Sequence, residues 1–365
     1  MRKPATTLLG ILILTATLSA SAQVPEDGAG LYTLACASCH GEDGAGTDPG
    51  TVAFVTPVPD FTDCSFASRE PDADWIAVAH DGGPVRAFDE TMPAFGEALT
   101  VDHLQLVMDH IRTFCKNVSW PRGELNLPRA LFTEKAYPED EAVTTVSVDV
   151  EGSRAITNTL LYERRFGPRS QFEVEVPIGL TETGPGSGWR AGFGDVALGI
   201  KHALFHSFAS GSILSLGGEI KLPTGSESAG LGGGTVVLEP YISFGQILPS
   251  DAFVQLQALA EFPTETDNAA SEGKWRAVVG KTWTQGSFGR TWTPMLEVMG
   301  ETELENLDAV LWDLVPQVQV TLNTRQHVML NAGMRIPVAD TTLRSSQIVV
   351  YILWDWFDGG LFDGW

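Results

Sequence analysis

The chain has 365 residues, with 46 Asp and Glu against 23 Lys and Arg, a formal net charge of −23. So acidic a protein is excluded as a nucleic-acid binder, because a phosphate backbone would be repelled. The length predicts two or more domains.

Residues 1–22 read as an export signal. Arg2 and Lys3 form a short basic region, LLGILILTATL is apolar but too short to span a bilayer, and Ala20-Ser21-Ala22 is an A-x-A cleavage site. Losing Arg2 and Lys3 takes the charge from −23 to −25 in a mature chain starting near Gln23. After that point no apolar run approaches the roughly 20 residues of a spanning helix. The longest, IVVYILW at 348–354, is strand-length. A membrane location would therefore require a barrel.

Residues 23–115 hold 16 Asp and Glu against 3 Arg, a net of −13, which predicts attraction to basic partners. Within them, Cys36-Ala37-Ser38-Cys39-His40 is the attachment signature of a c-type haem. Cys36 and Cys39 would carry the thioethers and His40 would be the proximal iron ligand. DADWIAVAH reads as a helix stopped by Gly82-Gly83, and Thr91-Met92-Pro93 follows. The proline keeps Met92 out of a helix, so that it is a candidate distal ligand. Thr100 is a candidate N-cap for VDHLQLVMDHIRTF, whose Leu104, Val107, Met108 and Ile111 recur at helical spacing. The bland alternatives are a redox dithiol or half a zinc site for the two cysteines, and a packing role for Met92. His80, His103 and His110 are rival ligands.

The order helix, CxxCH, loop, helix, Met, helix resembles the class I mono-haem cytochrome c domain. The resemblance implies one covalent haem c, held by Cys36 and Cys39 and ligated by His40 and Met92. Such ligation raises the potential and leaves no open position on iron, which points to one-electron transfer rather than enzyme catalysis. Cys64 and Cys115 remain, in an oxidising compartment, as a disulfide candidate or as two free thiols.

Residues 116–142 contain three Pro and no sustained periodicity, and read as an irregular but ordered linker or plug. Its Trp120, Leu125, Leu127 and Phe132 predict packing against something.

From 143 to 365 the pattern has period two. QFEVEVPIGL at 171–180 alternates Gln171, Glu173 and Glu175 with Phe172, Val174 and Val176. About twelve strands are predicted, at 143–151, 154–166, 170–181, 191–206, 211–223, 234–248, 252–264, 274–285, 290–302, 310–323, 327–338 and 345–357. Short connections (GPRS, SFASG, PSDA, QGSFG, NTRQ) alternate with long ones (TETGPGSGWR, TGSESAGLGGG, TETDNAASEG, TELENLD, ADTTLRSS). That is the pattern of an antiparallel outer-membrane β-barrel with short periplasmic turns, and it puts the haem domain on the periplasmic side. The first connection, Gly152-Ser153, is very short for an outer loop. A soluble β-sandwich is the alternative. Trp354, Trp356, Phe362 and Trp365 resemble the terminal aromatic signal of outer-membrane barrels.

GFGDVALGIKHALF (192–205) and LGGEIKLPTGSESAGLGGGT (216–235) resemble the putative-transporter barrels named after phenol meta-pathway degradation. That implies a fold and a membrane, without catalytic residues. The whole resembles cytochrome–porin fusions, whose best-known members oxidise ferrous iron at the cell surface, although this haem domain is larger and this barrel shorter. The polar face includes Glu173, Glu175, Asp195, Lys201, Glu219, Lys221, Glu239, Glu261, Glu297, Asp313, Arg335 and Asp355. It predicts either a cross-linked lumen or an acidic lining for cations. Two functions follow: an electron-transfer cytochrome working with a periplasmic carrier or a metal ion, or a solute channel gated by the cytochrome.

Overall fold

The computed structural model describes residues 24–48, 50, 58–151, 154–182, 188–267, 269–339 and 344–355. The export signal, the Gly152-Ser153 connection and Trp356, Phe362 and Trp365 lie outside the described residues.

The N-terminal part is helical. Asp27 caps α1 (Gly28–Ala35) by accepting from the Gly30 amide at 2.8 Å. The turn α2 (Ala37–His40) follows directly, then α3 (Cys64–Ala67), α4 (Asp72–Asp81) and α5 (Val101–Ile111). Thr100 caps α5 through a reciprocal pair with His103. Leu104, Val107, Met108 and Ile111 of α5 meet Leu31 and Tyr32 of α1 and Ile76 and Ala79 of α4 in one apolar core. Burial of this stripe holds helices too short to persist alone. Cys64 and Cys115 are joined, with an S–S distance of 2.06 Å, tying α3 to the end of the α5 region.

The remainder is one closed antiparallel barrel. Its strands are β1 (Glu141–Asp149), β2 (Ala155–Phe166), β3 (Ser170–Glu182), β4 in two pieces (Trp189–Phe193 and Val196–Ser207), β5 (Ser212–Leu222) and β6 (Val237–Leu248). They continue as β7 (Ala252–Pro263), β8 (Glu272–Lys281 with Trp283–Thr284), β9 (Thr291–Glu303), β10 (Asn306–Thr321), β11 (Val328–Pro337) and β12 (Gln347–Asp355). Each strand pairs with its neighbours in sequence, and β12 pairs with β1, from Glu141↔Asp355 to Asp149↔Gln347, which closes the sheet without an edge.

The strand faces differ in chemistry. Leu160, Leu198, Ile242, Leu256, Leu296, Val318 and Ile352 point outward and are exposed, whereas Glu163, Gln171, Lys201, Ser243, Gln255, Glu297 and Asn331 point inward and are buried. Aromatic residues gather near each rim, with Phe166, Phe208, Trp283 and Trp292 at the short-turn end and Trp189, Phe193 and Phe262 at the other. An apolar wall with two aromatic girdles and a polar interior is the arrangement lipid demands; a sandwich would bury the apolar face instead.

Strand ends shift by a few residues from the sequence reading, and two of the shifts change what a segment does. The stretch expected as the loop TELENLD is mostly strand: β9 runs to Glu303 and β10 starts at Asn306, with Glu303 paired to Asn306. Charged residues there read as loop, but they stand on a protruding hairpin. The first strand begins at Glu141 rather than 143, so that Glu141 faces the lumen, fully buried.

Candidate functional site

The cysteines and the histidine of the signature occupy one helical turn. Cys36 joins α1 to α2, and the His40 amide donates to the Cys36 carbonyl at 2.9 Å. Positions i, i+3 and i+4 share a face, so Cys36, Cys39 and His40 project together. Both thiols are unbridged and half-buried. The His40 ring stacks on Phe61 with centroids 4.9 Å apart, and its Nδ1 is buried with no hydrogen-bond partner. Burial pushes this imidazole down to about 4, so it is neutral and its lone pair is available for a metal. Burial first, then the neighbouring Cys39, pushes the Cys36 thiol up to about 11.

Met92 lies on the segment after the Gly82-Gly83 stop. The Gly83 amide donates to its carbonyl at 3.0 Å, and the Phe95 and Gly96 amides donate to Ala79 and His80 at 2.9 Å. These bonds lay residues 92–96 along the end of α4. Met92 and Cys36 both pack against the apolar core of the helical domain. The rival histidines have other work. His80 pairs with Asp81 at 2.6 Å, His103 is part of the α5 cap, and His110 packs between Tyr32 and Phe114. A half-buried imidazole whose buried Nδ1 has no partner, two free thiols on the same turn and a methionine on the same core form a donor set that fits a c-type haem.

The domain is seated on the short-turn end of the barrel. Phe288, between β8 and β9, packs against the helical core; its carbonyl accepts from Arg86 at 2.8 Å, and its ring meets His80. His327, before β11, bridges Glu70 of the helical domain at 2.9 Å and Asp355 at the end of β12 at 3.3 Å. Arg325 stacks on Phe88 at 4.5 Å, and Arg69 pairs with Asp140 at 2.6 Å.

From that seat the chain runs into the lumen. Arg129 pairs with Glu134, Glu141 and Glu163 at 2.9–3.0 Å. Lys201 pairs with Glu134 at 2.5 Å, and Lys135 with Glu139 and Glu141. The Leu131 amide donates to Gln317, Glu297 accepts from Thr133, and Asn331 and Tyr351 donate to the Arg129 carbonyl. Gln171 accepts from the Glu139 amide, on the opposite wall. Nearer the far rim, Lys221 binds Glu239 and Glu261, and Arg335 binds Asp313. The lumen is thus cross-linked wherever these charges face one another, rather than an open acidic tube.

Residues 23–111 match the protein family described as "Cytochrome C oxidase, cbb3-type, subunit III". The chain is a cytochrome c domain joined to a closed β-barrel. No curated protein matches it. Among solved structures it is similar to an outer-membrane channel from Pseudomonas putida F1, at 12% identity and TM-score 0.44, covering 63% of this chain and 100% of that one. It is also similar to the KdgM porin in complex with disordered oligogalacturonate, at 11% identity and TM-score 0.40, covering 59% and 99%. LpxR from Salmonella typhimurium is similar at 9% identity and TM-score 0.40, covering 59% and 100%.

The sequence reading put the four candidate haem residues on the cytochrome domain and missed what holds that domain in place. Phe288 and His327 sit in turns whose shortness alone was noticed. Arg129, Glu134 and Lys135 had a visible signal, since alternating charges are unusual in an irregular segment that also carries apolar residues.

Proposed function

We propose that the protein is an outer-membrane c-type cytochrome, with the cytochrome domain on the periplasmic side and the barrel as its anchor. Cys36 and Cys39 would hold one covalent haem, and His40 and Met92 would ligate its iron. The observation that carries this reading is the half-buried His40 imidazole, its buried Nδ1 without a hydrogen-bond partner, on the same turn as two free thiols. The haem supplies a one-electron couple with no open coordination site. Around it the chain's own residues do three things. Burial keeps His40 neutral, the core flanking Met92 and Cys36 excludes water, and the seat on Phe288 and His327 fixes the domain against the membrane.

The partner is a basic periplasmic electron carrier, or a metal ion such as ferrous iron. All three Arg of residues 23–115 are spent internally, Arg69 on Asp140, Arg86 on Asp74 and Arg112 on Asp72. The charge left facing solvent is acidic, which steers cations toward the domain. The segment running through the lumen weighs against an open solute channel.

The test is a stopped-flow haem spectrum of the detergent-folded protein, with Met92→Ala beside it. Wild type is expected to give a low-spin His/Met spectrum and to exchange electrons quickly with a small basic cytochrome; the variant should lose the low-spin signature. An unchanged spectrum in Met92→Ala removes Met92 as ligand. Fast reduction by ferrous iron adds metal oxidation to the function, and no exchange with either donor overturns it.

A further inference from the structure

The end of the barrel remote from the cytochrome domain carries its own closure. β4 is interrupted at Gly194 and Asp195, between its two pieces. The Asp195 carboxylate accepts from the Gly225 amide at 2.8 Å with Oδ1 and from the Gly233 amide at 2.7 Å with Oδ2. Both amides belong to the connection between β5 and β6, so one side chain pins the two stems of that loop.

Between its stems the loop lies on the inner face of the wall. The Ser226 amide donates to the Phe193 carbonyl at 2.8 Å, and Arg190 donates to the Ser228 carbonyl at 2.7 Å. The Thr181 hydroxyl donates to the Ala229 carbonyl, and Ala229 is buried. The wall has room for it only because it is made of glycine there. A Cβ on Gly192 would come within 2.7 Å of Ser226 Cβ, and one on Gly179 within 2.9 Å of Leu231 Cδ2. Gly179 is buried between the outward-facing Ile178 and Leu180 of β3, so the Leu231 side chain that touches it is inside the barrel.

We infer that residues 224–235 form an inner lid, latched by Asp195, which shuts the barrel at the end opposite the cytochrome domain. A loop with no task beyond joining β5 to β6 would stay in water, where its amides are satisfied without a dedicated carboxylate. Here the carboxylate, the glycine-lined wall and the half-buried Leu231 packed on Gly179 all turn the loop inward. The 123–140 segment closes the lumen from one side and the lid from the other, by separate contacts. The barrel therefore holds two closures that can be opened independently, which goes beyond its role as an anchor and does not depend on the haem ligands.

The test uses the full-length, haem-loaded protein in detergent micelles, where both ends face the reagent. Glu175→Cys, on β3 below the lid, is the reporter, and Thr266→Cys, on an exposed neighbouring loop, is the reference. Labelling by a charged maleimide is expected to be at least about 10-fold slower at the reporter than at the reference, because it waits for local opening. Adding Asp195→Ala should bring the reporter close to the reference rate, while heat-modifiable migration on gels shows an intact barrel. If the Asp195 variant fails to fold, Leu231→Glu, which pushes the lid off the wall, should have the same effect. Equal labelling of reporter and reference in the otherwise native protein overturns the lid. Slow labelling that persists in a folded Asp195→Ala protein, or in Leu231→Glu, overturns the latch.

Discussion

The two halves of the molecule are built inside out with respect to each other. The cytochrome domain buries Leu31, Ile76, Leu104, Val107 and Ile111 and turns most of its carboxylates, such as Glu42, Asp102 and Asp109, to water. The barrel buries Glu141, Glu163, Lys201 and Glu297 and turns Leu160, Leu256 and Ile352 outward. Solvent explains the inversion. Water rewards burial of apolar surface in the first case, while lipid offers the polar face of the second no partners, so polar groups must satisfy one another inside. The seam between the halves combines both strategies, with Phe288 in the apolar core and His327 between two carboxylates.

The largest effect should come from breaking the inner charge network. Arg129→Met leaves Glu134, Glu141 and Glu163 without their shared cation, and a buried pair broken on one side costs about 3–5 kcal/mol. Urea unfolding of the barrel in micelles should show it, with little change in the haem spectrum. A smaller cost in a folded protein would mean that water reaches the lumen.

Next comes a matched pair of surface substitutions. Leu256→Arg on the barrel's outer wall should cost about 2–4 kcal/mol in a bilayer. Leu34→Arg, at an even more exposed leucine of the cytochrome domain (65% against 44%), should stay within about 0.5 kcal/mol. Equal costs would erase the inversion. Within the cytochrome domain, replacing Cys64 and Cys115 by Ser should cost about 2–4 kcal/mol by freeing the unfolded chain, read in its thermal melt while the barrel transition stays put.

Of the substitutions expected to destabilise, the one at the seam should cost least. Phe288→Ala removes a partly buried ring from the cytochrome core and should cost about 1–2 kcal/mol. Hydrogen exchange should rise in α4 and residues 83–96 and not in the strands. Uniform change in both halves would mean that they unfold as one unit.

Much of this was legible in the chain because it is local. An alternation of period two needs only neighbours to be seen, and the expected strand 170–181 is Ser170–Glu182 in the fold. The signature at Cys36, Cys39 and His40 sits within one helical turn, so its spacing already states its geometry. Where local chemistry pointed the wrong way, the reading slipped: acidic residues at 302–308 suggested a loop, but the strands run to Glu303 and restart at Asn306, leaving only a turn at 304–305.

What depended on the tertiary structure is whatever joins distant residues. The Arg129 carbonyl meets Asn331 and Tyr351, the Arg86 guanidinium reaches Phe288, and Asp195 holds Gly225 and Gly233. No periodicity marks such pairs, because each residue looks like an ordinary polar side chain until closure of the sheet gives it a partner. The sequence by itself determined a helical cytochrome domain and a barrel with apolar and polar faces. Only the fold decided that the linker fills the lumen, that the cytochrome domain rests on the short turns, and that a loop folds inward. Those follow from buried polar groups needing partners, and only the closed barrel says which partners lie within reach.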